Sequence, residues 1–179
     1  MSMQEQYNKE IAKKVAERLG IKNIFAVPKL TKITVNASHR DFLADKKNLE
    51  KMREDILTIT GQRPKTALAK LSVATFKLRE NDPIGLVVTL RGRRMYDFFE
   101  KLVKIVLPRV RDFAGVDAKA LDGHGSLSIG FNEHIVFPEI DTGKVDKVRS
   151  LQVTIVTTAK TNDAARVLFE EMGMKFKKS

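Results

Sequence analysis

The stretch Pro83-Ile84-Gly85-Leu86-Val87-Val88-Thr89-Leu90-Arg91-Gly92-Arg93-Arg94-Met95-Tyr96 changes its period partway along. Ile84 to Leu90 is rich in β-branched and aliphatic residues, which predicts a strand. From about Arg93 to Leu107 the apolar residues Met95, Phe98, Phe99, Leu102 and Val106 recur at helical spacing, with Pro108 expected to end the helix because its ring cannot continue an undistorted helix interior. Arg91, Arg93 and Arg94 crowd the strand-to-helix junction, and their nearest carboxylate, Asp97, lies a turn away.

Reading outward, the spacing of Tyr7, Ile11, Val15 and Leu19 predicts an N-terminal helix over 3–19, closed by Gly20. Asn23 to Pro28 reads as a connection. A strand over 30–36 follows, with Ile33 and Val35 on one face and Lys32, Thr34 and Asn36 on the other. Leu49, Met52, Ile56 and Ile59 predict a helix over 46–60, with Asp45 as N-cap and Gly61 as stop. Residues 64–69 look extended, and 112–125 form a long glycine-containing loop. Strands are expected from Ser126 and over 151–158, and the stretch 138–149 is polar and turn-rich. A last helix is capped by Thr161, with Asp163 in its first turn, and a basic tail follows Gly173. Strands and helices alternate without a regular βαβ rhythm or an internal repeat. The fold class is therefore α+β: a largely antiparallel sheet with helices packed on one face and the other face open, in a single domain over 1–179 with a protruding loop at 77–85.

Charge is concentrated rather than spread. Between Gly61 and Arg111 there are 12 lysines and arginines against Glu80, Asp82, Asp97 and Glu100, a net of +8, while the whole chain carries +11. A sequence pI near 9.9 favours a polyanionic partner. The glutamates Glu5, Glu10 and Glu17 in the first helix weaken a membrane-surface reading, and no apolar run approaches the ~20 residues of a membrane span. With no cysteine there is no disulfide or thiolate metal site, and the polar N-terminus is unlike a targeting signal, so a cytoplasmic location is expected.

Enzyme chemistry finds little support. His39, His124 and His134 make no HExxH pair and read as surface or loop histidines. Gly123 to Gly130 lacks dinucleotide spacing and reads as a turn opening a strand. No Walker-type or nucleophile-elbow motif occurs. Asp112, Asp117, Asp122, Asp141 and Asp146 fall in loops, where solvation is the default, and no cofactor is called for. Lys101 and Lys104 read as solubility charges on a helix. Lys70, Lys77 and Arg79, by contrast, flank the small residues Ser72, Ala74 and Thr75, over which a nucleic-acid backbone can approach. Phosphate contacts set register but carry no sequence information. Neutral groups beside them, Asn36, Gln62 and Thr89, can read RNA shape or the 2′-hydroxyl. With no aromatic platform on these strands, structured RNA is a better partner than a stacked single strand.

These residues sit in a string of motifs: Gly61-Gln62-Arg63-Pro64, Lys77-Leu78-Arg79-Glu80, Pro83-Ile84-Gly85, Val88-Thr89-Leu90-Arg91-Gly92, Arg94-Met95-Tyr96, Leu107-Pro108-Arg109-Val110-Arg111-Asp112-Phe113, Phe137-Pro138-Glu139-Ile140 and Thr157-Thr158-Ala159-Lys160-Thr161. The chain thereby resembles the bacterial form of large-subunit ribosomal protein five over nearly its whole length. The resemblance implies a non-enzymatic constituent of the large subunit that binds 5S rRNA and helps seat it in the central protuberance. It further implies partners in 23S rRNA, neighbouring protuberance proteins, P-site tRNA and small-subunit ribosomal protein thirteen, the last through a bridge near 111–118 and 134–146. The rRNA-facing set it implies is Asn36, Gln62 and Thr89, to which the charge reading adds Lys32, Lys70, Arg91, Arg93 and Arg94. Lys77, Arg79 and Asn81 fall in the loop implied to reach tRNA. The chain departs from the family at Ala37-Ser38-His39, where a glycine turn is usual, and at Asn81-Asp82, where Gly-Met is common before the proline. It departs again at His124, Ser126 and Leu127, in place of Arg, Asn and Tyr. Two other readings stay open on the sequence: a free-standing RNA chaperone, which would not co-migrate with large subunits after a high-salt wash, and an RNA-modifying enzyme, which needs a carboxylate or histidine with a strongly shifted pKa in a cleft.

Overall fold

A computed structural model describes residues 2–111 and 113–177; Asp112 and the Lys178-Ser179 end of the basic tail lie outside the described residues. In chain order the elements are α1 (Met3–Gln6), a π-helical turn (Tyr7–Ile11), α2 (Ala12–Leu19), β1 (Leu30–Ser38), α3 (Asp41–Ala44) and α4 (Lys46–Thr60). Then come β2 (Lys65–Leu68), β3 (Pro83–Leu90), α5 (Gly92–Lys101), a second π-helical turn (Leu102–Val106), α6 (Leu107–Arg109), β4 (Leu127–Phe131), β5 (Leu151–Thr157) and α7 (Asn162–Glu171). The five strands form one antiparallel sheet in the order β2-β3-β1-β5-β4, as the α+β reading expects. The chain divides into two compact units, one of residues 1–33, 90–129 and 154–179, the other of 34–89 and 130–153.

In the first unit the apolar stripe of the N-terminal helix is buried at Tyr7, Ile11 and Val15, and that of α5 at Met95, Phe98 and Phe99. Phe99 stacks on Phe169 of α7 with ring centres 6.3 Å apart. Tyr7 lies 6.0 Å from Tyr96 and donates its hydroxyl to the Pro28 carbonyl at 2.8 Å. Burial, followed by the neighbouring Tyr96, pushes the Tyr7 phenol up to about 12. Arg18 ties α2 to α7 through Glu171 at 2.8 Å and Glu170 at 3.0 Å.

Two expectations need correction in this unit. The helices at 3–19 and 93–107 are each broken by a π-helical turn, and the second continues past Pro108 to Arg109. The turn before the proline closes from the Leu107 N–H to the Leu102 carbonyl, five residues back. That wider turn opens the helix just ahead of the ring, which removes the clash on which the expected stop rested. The expected loop at 112–125 also contains a 3₁₀ turn, Ala118–Ala120, capped by Asp117.

In the second unit α4 has the bounds its periodicity predicts. Asp45 accepts the Lys47 N–H at 2.8 Å, Gly61 ends the helix, and Leu49, Met52, Ile56 and Ile59 are buried. The short helix α3 ahead of it has no counterpart in the sequence periodicity. His134 corrects the histidine reading, because it is fully buried. Its Nδ1 accepts the Arg149 N–H at 3.1 Å, and its Nε2 faces the Asp55 carboxylate at 3.4 Å. The buried Arg149 guanidinium in turn reaches Asp41 at 3.1 Å and Asn48 at 3.0 Å. Burial opposes ionisation of Asp41, but the hydrogen bonds and charges of Arg149 and Lys147 prevail and hold its carboxyl below the usual range. His134 and Arg149 are thus internal fasteners holding the 134–149 segment to α3 and α4.

Candidate nucleic-acid interface

The strands of the second unit sort their side chains as alternation requires. On β1, Val35 and Ala37 are buried while Thr34 and Asn36 are half-exposed; on β3, Leu86 and Val88 are buried while Val87 and Thr89 are half-exposed. Strand β2 pairs antiparallel with β3, with Lys65 opposite Val87, Thr66 opposite Leu86 and Ala67 opposite Gly85, before a bulge brings Leu68 opposite Pro83. Gly85 is required by close approach, since a Cβ there would lie 3.0 Å from the Ala37 carbonyl oxygen.

The structure brings two of the three neutral candidates together. The Gln62 side-chain amide donates to the Thr89 carbonyl at 3.2 Å. Thr60 at the end of α4 donates its hydroxyl to the Ile56 carbonyl at 2.7 Å and accepts the Gln62 N–H at 3.3 Å, which fixes the backbone of Gln62. The amide oxygen of Gln62 and the hydroxyl of Thr89 accept and donate nothing further among the described residues, so both are presented for an outside partner. Asn36 shares the polar side of β1 with Thr34 but makes no bond to either. Thr66 on β2 is engaged by Arg53 at 2.8 Å, and Arg53 also pairs with Glu50 at 3.0 Å.

Beyond β2 the chain runs out as a self-bonded loop, 69–82, and returns as β3, so the protruding loop expected at 77–85 starts earlier and gives up Pro83 to Gly85 to the strand. The Ala69 N–H donates to the Asp82 carbonyl at 2.8 Å and the Asn81 N–H to the Ala69 carbonyl at 2.9 Å; Val73 and Leu78 bridge farther out. Lys77 and Asn81 both take left-handed backbone, at φ 53° and 68°. Asparagine tolerates that conformation better than most side chains, which explains how it stands where the resemblance implies glycine. The Asp82 carboxylate folds back to accept the Arg79 N–H at 2.7 Å, so its charge is used inside the loop. Lys70, Lys77 and Arg79 are exposed. So are Leu71 and Phe76, at 74% and 59%, with the Arg40 guanidinium 5.9 Å from the Phe76 ring centre. The contribution of Arg40 is invisible in sequence, because it lies 36 residues from Phe76.

In the first unit, Lys32 is half-exposed on β1. Arg91, Arg93 and Arg94 are exposed where β3 gives way to α5, with Gly92 turning the chain at φ 56°. Arg93 lies 3.7 Å from Asp97, and its side chain remains 80% exposed. The first turn of α5 holds no acidic residue, so three guanidiniums sit at the positive end of a helix dipole, an arrangement that an external anion relieves. Asp122 is exposed, as expected of a loop carboxylate, and also accepts the N–H groups of Ser126 and His124, bonds that lower its pKa. Among the described residues no group of histidines and carboxylates is arranged to hold a metal ion, and no helix is long and apolar enough to cross a membrane.

Comparison with known proteins identifies a family. The family profile described as "Ribosomal protein L5" matches residues 23–79, and the profile for the C-terminus of the same ribosomal family matches residues 83–176. A large ribosomal subunit protein uL5 of Clostridium botulinum (strain Loch Maree / Type A3) is 48% identical over 174 residues, 97% of each chain. That of Desulforapulum autotrophicum is 49% identical over 176 residues, 98% of each chain. The chain belongs to the uL5 family of large-subunit ribosomal proteins, which are structural and not enzymes.

Proposed function

We propose that the chain, a constituent of the cytoplasmic large ribosomal subunit, binds 5S rRNA through the polar strand face of its second unit and helps attach that RNA in the central protuberance. The observation that carries this reading is the Gln62–Thr89 pair: two neutral groups locked together by a 3.2 Å bond inside a segment of net charge +8. Asn36 adds a third neutral group, and Lys32, Lys70, Arg91, Arg93 and Arg94 supply phosphate contacts, whether to 5S or to adjoining 23S rRNA. Charge brings any polyanion to such a surface; fixed neutral donors and acceptors tell one from another.

The 69–82 loop, with Lys77, Arg79 and Asn81 at its turn, is assigned to P-site tRNA, supported by its exposure and by its self-sufficient backbone. A bridge to small-subunit protein thirteen and contacts with neighbouring protuberance proteins rest on family resemblance alone. Binding of 5S rRNA and of a tRNA of similar length over a salt series tests the main assignment. With ~6 phosphates neutralised, the log–log slope for 5S rRNA is ~−4 to −5. Specific binding also requires a clear affinity gap over tRNA, and equal affinities with equal slopes would refute it.

A further inference from the structure

The turn between α2 and β1 holds the most exposed large hydrophobic residue among those described: Phe25 is 95% exposed, and Ile24 beside it 56%. The exposure is not slack. Gly20 closes α2 in a left-handed turn, and the Ile21 N–H returns to the Ala16 carbonyl at 2.9 Å. The Asn23 side chain accepts the Phe25 N–H at 3.0 Å, and its carbonyl accepts the Ala26 N–H at 3.0 Å. Val27 and Pro28 are buried, and the Pro28 carbonyl is held by the Tyr7 hydroxyl at 2.8 Å. Lys29 is then pinned to Thr158 by two hydrogen bonds, at 2.9 and 3.0 Å. The backbone on both sides of Phe25 is fixed, and the ring is held out in water where it packs on nothing.

The sequence that flanks it is of one sign. From Arg18 to Ile33 there are four cations and no carboxylate. Arg18 is committed to α7, but Lys22 and Lys29 are exposed and make no ion pair among the described residues. A rigid aromatic face between two uncommitted lysines matches a nucleobase with its flanking phosphates better than it matches an apolar protein surface, which would have to strip water from those ammonium groups.

We propose that Phe25 is a stacking platform for an unpaired base of 5S rRNA, with Lys22 and Lys29 on the adjacent phosphates. This inference rests on the 5S rRNA assignment above and adds a contact off β1 and β3, which carry no aromatic residue. Because Phe25 packs on nothing, its replacement leaves thermal stability unchanged, which each variant's melting curve verifies first.

The chain has no tryptophan, so Phe25→Trp supplies a single fluorophore at the site. Titrated with 5S rRNA, this variant binds at least as tightly as the parent and its emission is strongly quenched by the stacked base. Phe25→Ala and Phe25→Leu both weaken binding by about ten- to hundredfold, since leucine keeps the apolar bulk but has no π face. Binding of 5S rRNA by the parent chain, with an unquenched indole in the tryptophan variant and unaffected alanine and leucine variants, overturns the stacking site while leaving the 5S assignment standing. Failure of the parent chain to bind 5S rRNA overturns both. Indole emission that shifts to the blue without quenching, and only in reconstituted large subunits, assigns Phe25 to an apolar protein neighbour and overturns the base.

Discussion

The Gln62–Thr89 corner and the 69–82 loop lie next to each other in sequence, share a unit and both face outward, yet they are built on opposite plans. At the corner a side chain is spent on holding another strand's backbone, so the remaining oxygen and hydroxyl stand in fixed positions. In the loop the backbone bonds to itself, through Ala69, Asp82, Val73 and Leu78, and nearly every side chain from Lys70 to Lys77 is left in solvent. A fixed polar pair discriminates, because a partner that fails to match it leaves desolvated groups unpaired. Exposed lysines on a projecting loop reach a partner with less demand on its shape. The division suits the two proposed roles, one RNA held firmly and another touched transiently.

The double variant Gln62→Leu with Thr89→Val attacks the first plan. It removes two neutral hydrogen-bonding groups and frees the Thr89 carbonyl, at about 1–1.5 kcal/mol each, so 5S rRNA affinity falls by roughly ten- to hundredfold. No charge is lost, so the log–log salt slope stays where it was, which separates this variant from any loss of lysines. An unchanged affinity would mean the corner serves only the fold.

Replacing Lys77 and Arg79 together by glutamine attacks the second plan. If the loop belongs to tRNA, its salt slope for tRNA flattens by ~1.4, from two single-strand-type contacts, and crosslinks to P-site tRNA disappear. The 5S rRNA affinity then moves by less than about threefold. A large loss of 5S binding would merge the two regions into one surface and erase the contrast between them.

How much of this was legible beforehand follows from the range over which each feature is determined. The α4 helix, its Asp45 cap, the buried stripes and the strand alternation are set by neighbours within a few residues, and all can be read from the sequence. So can Gln62 and Thr89 as candidates, although their mutual bond crosses 27 residues and has no local signature. The π-helical turn ahead of Pro108 escapes because it follows from relieving a clash within the helix, which periodicity does not register. His134 escapes for a different reason: a buried imidazole bonded to the Arg149 backbone and facing Asp55 looks, in sequence, like any loop histidine. Phe25 sits in plain view between two lysines, but its exposure depends on Asn23, Tyr7 and Thr158 holding the turn.

Asp82 offers the finest test of the contrast, because on sequence alone it is an acidic residue placed where a tRNA phosphate is expected. In the folded loop its carboxylate accepts the Arg79 N–H at 2.7 Å, and the Asp82 N–H returns to the Arg79 carbonyl at 3.2 Å. A carboxylate bound in this way acts as a cap for the turn, and its loss costs about 1 kcal/mol of local stability. Asp82→Ala should therefore speed amide exchange at Arg79 by roughly fivefold while leaving exchange in β1 and β3 untouched, because the loop opens without the sheet. It also removes a negative charge from the loop tip. The two effects oppose each other in tRNA binding: a looser loop weakens it and a more positive tip strengthens it. If Asp82 mainly repels phosphate, the variant binds tRNA more tightly and the gain shrinks as salt rises. If it mainly holds the turn, binding weakens at every salt concentration, and the acidic residue belongs to the loop's own architecture, as its bond to Arg79 indicates.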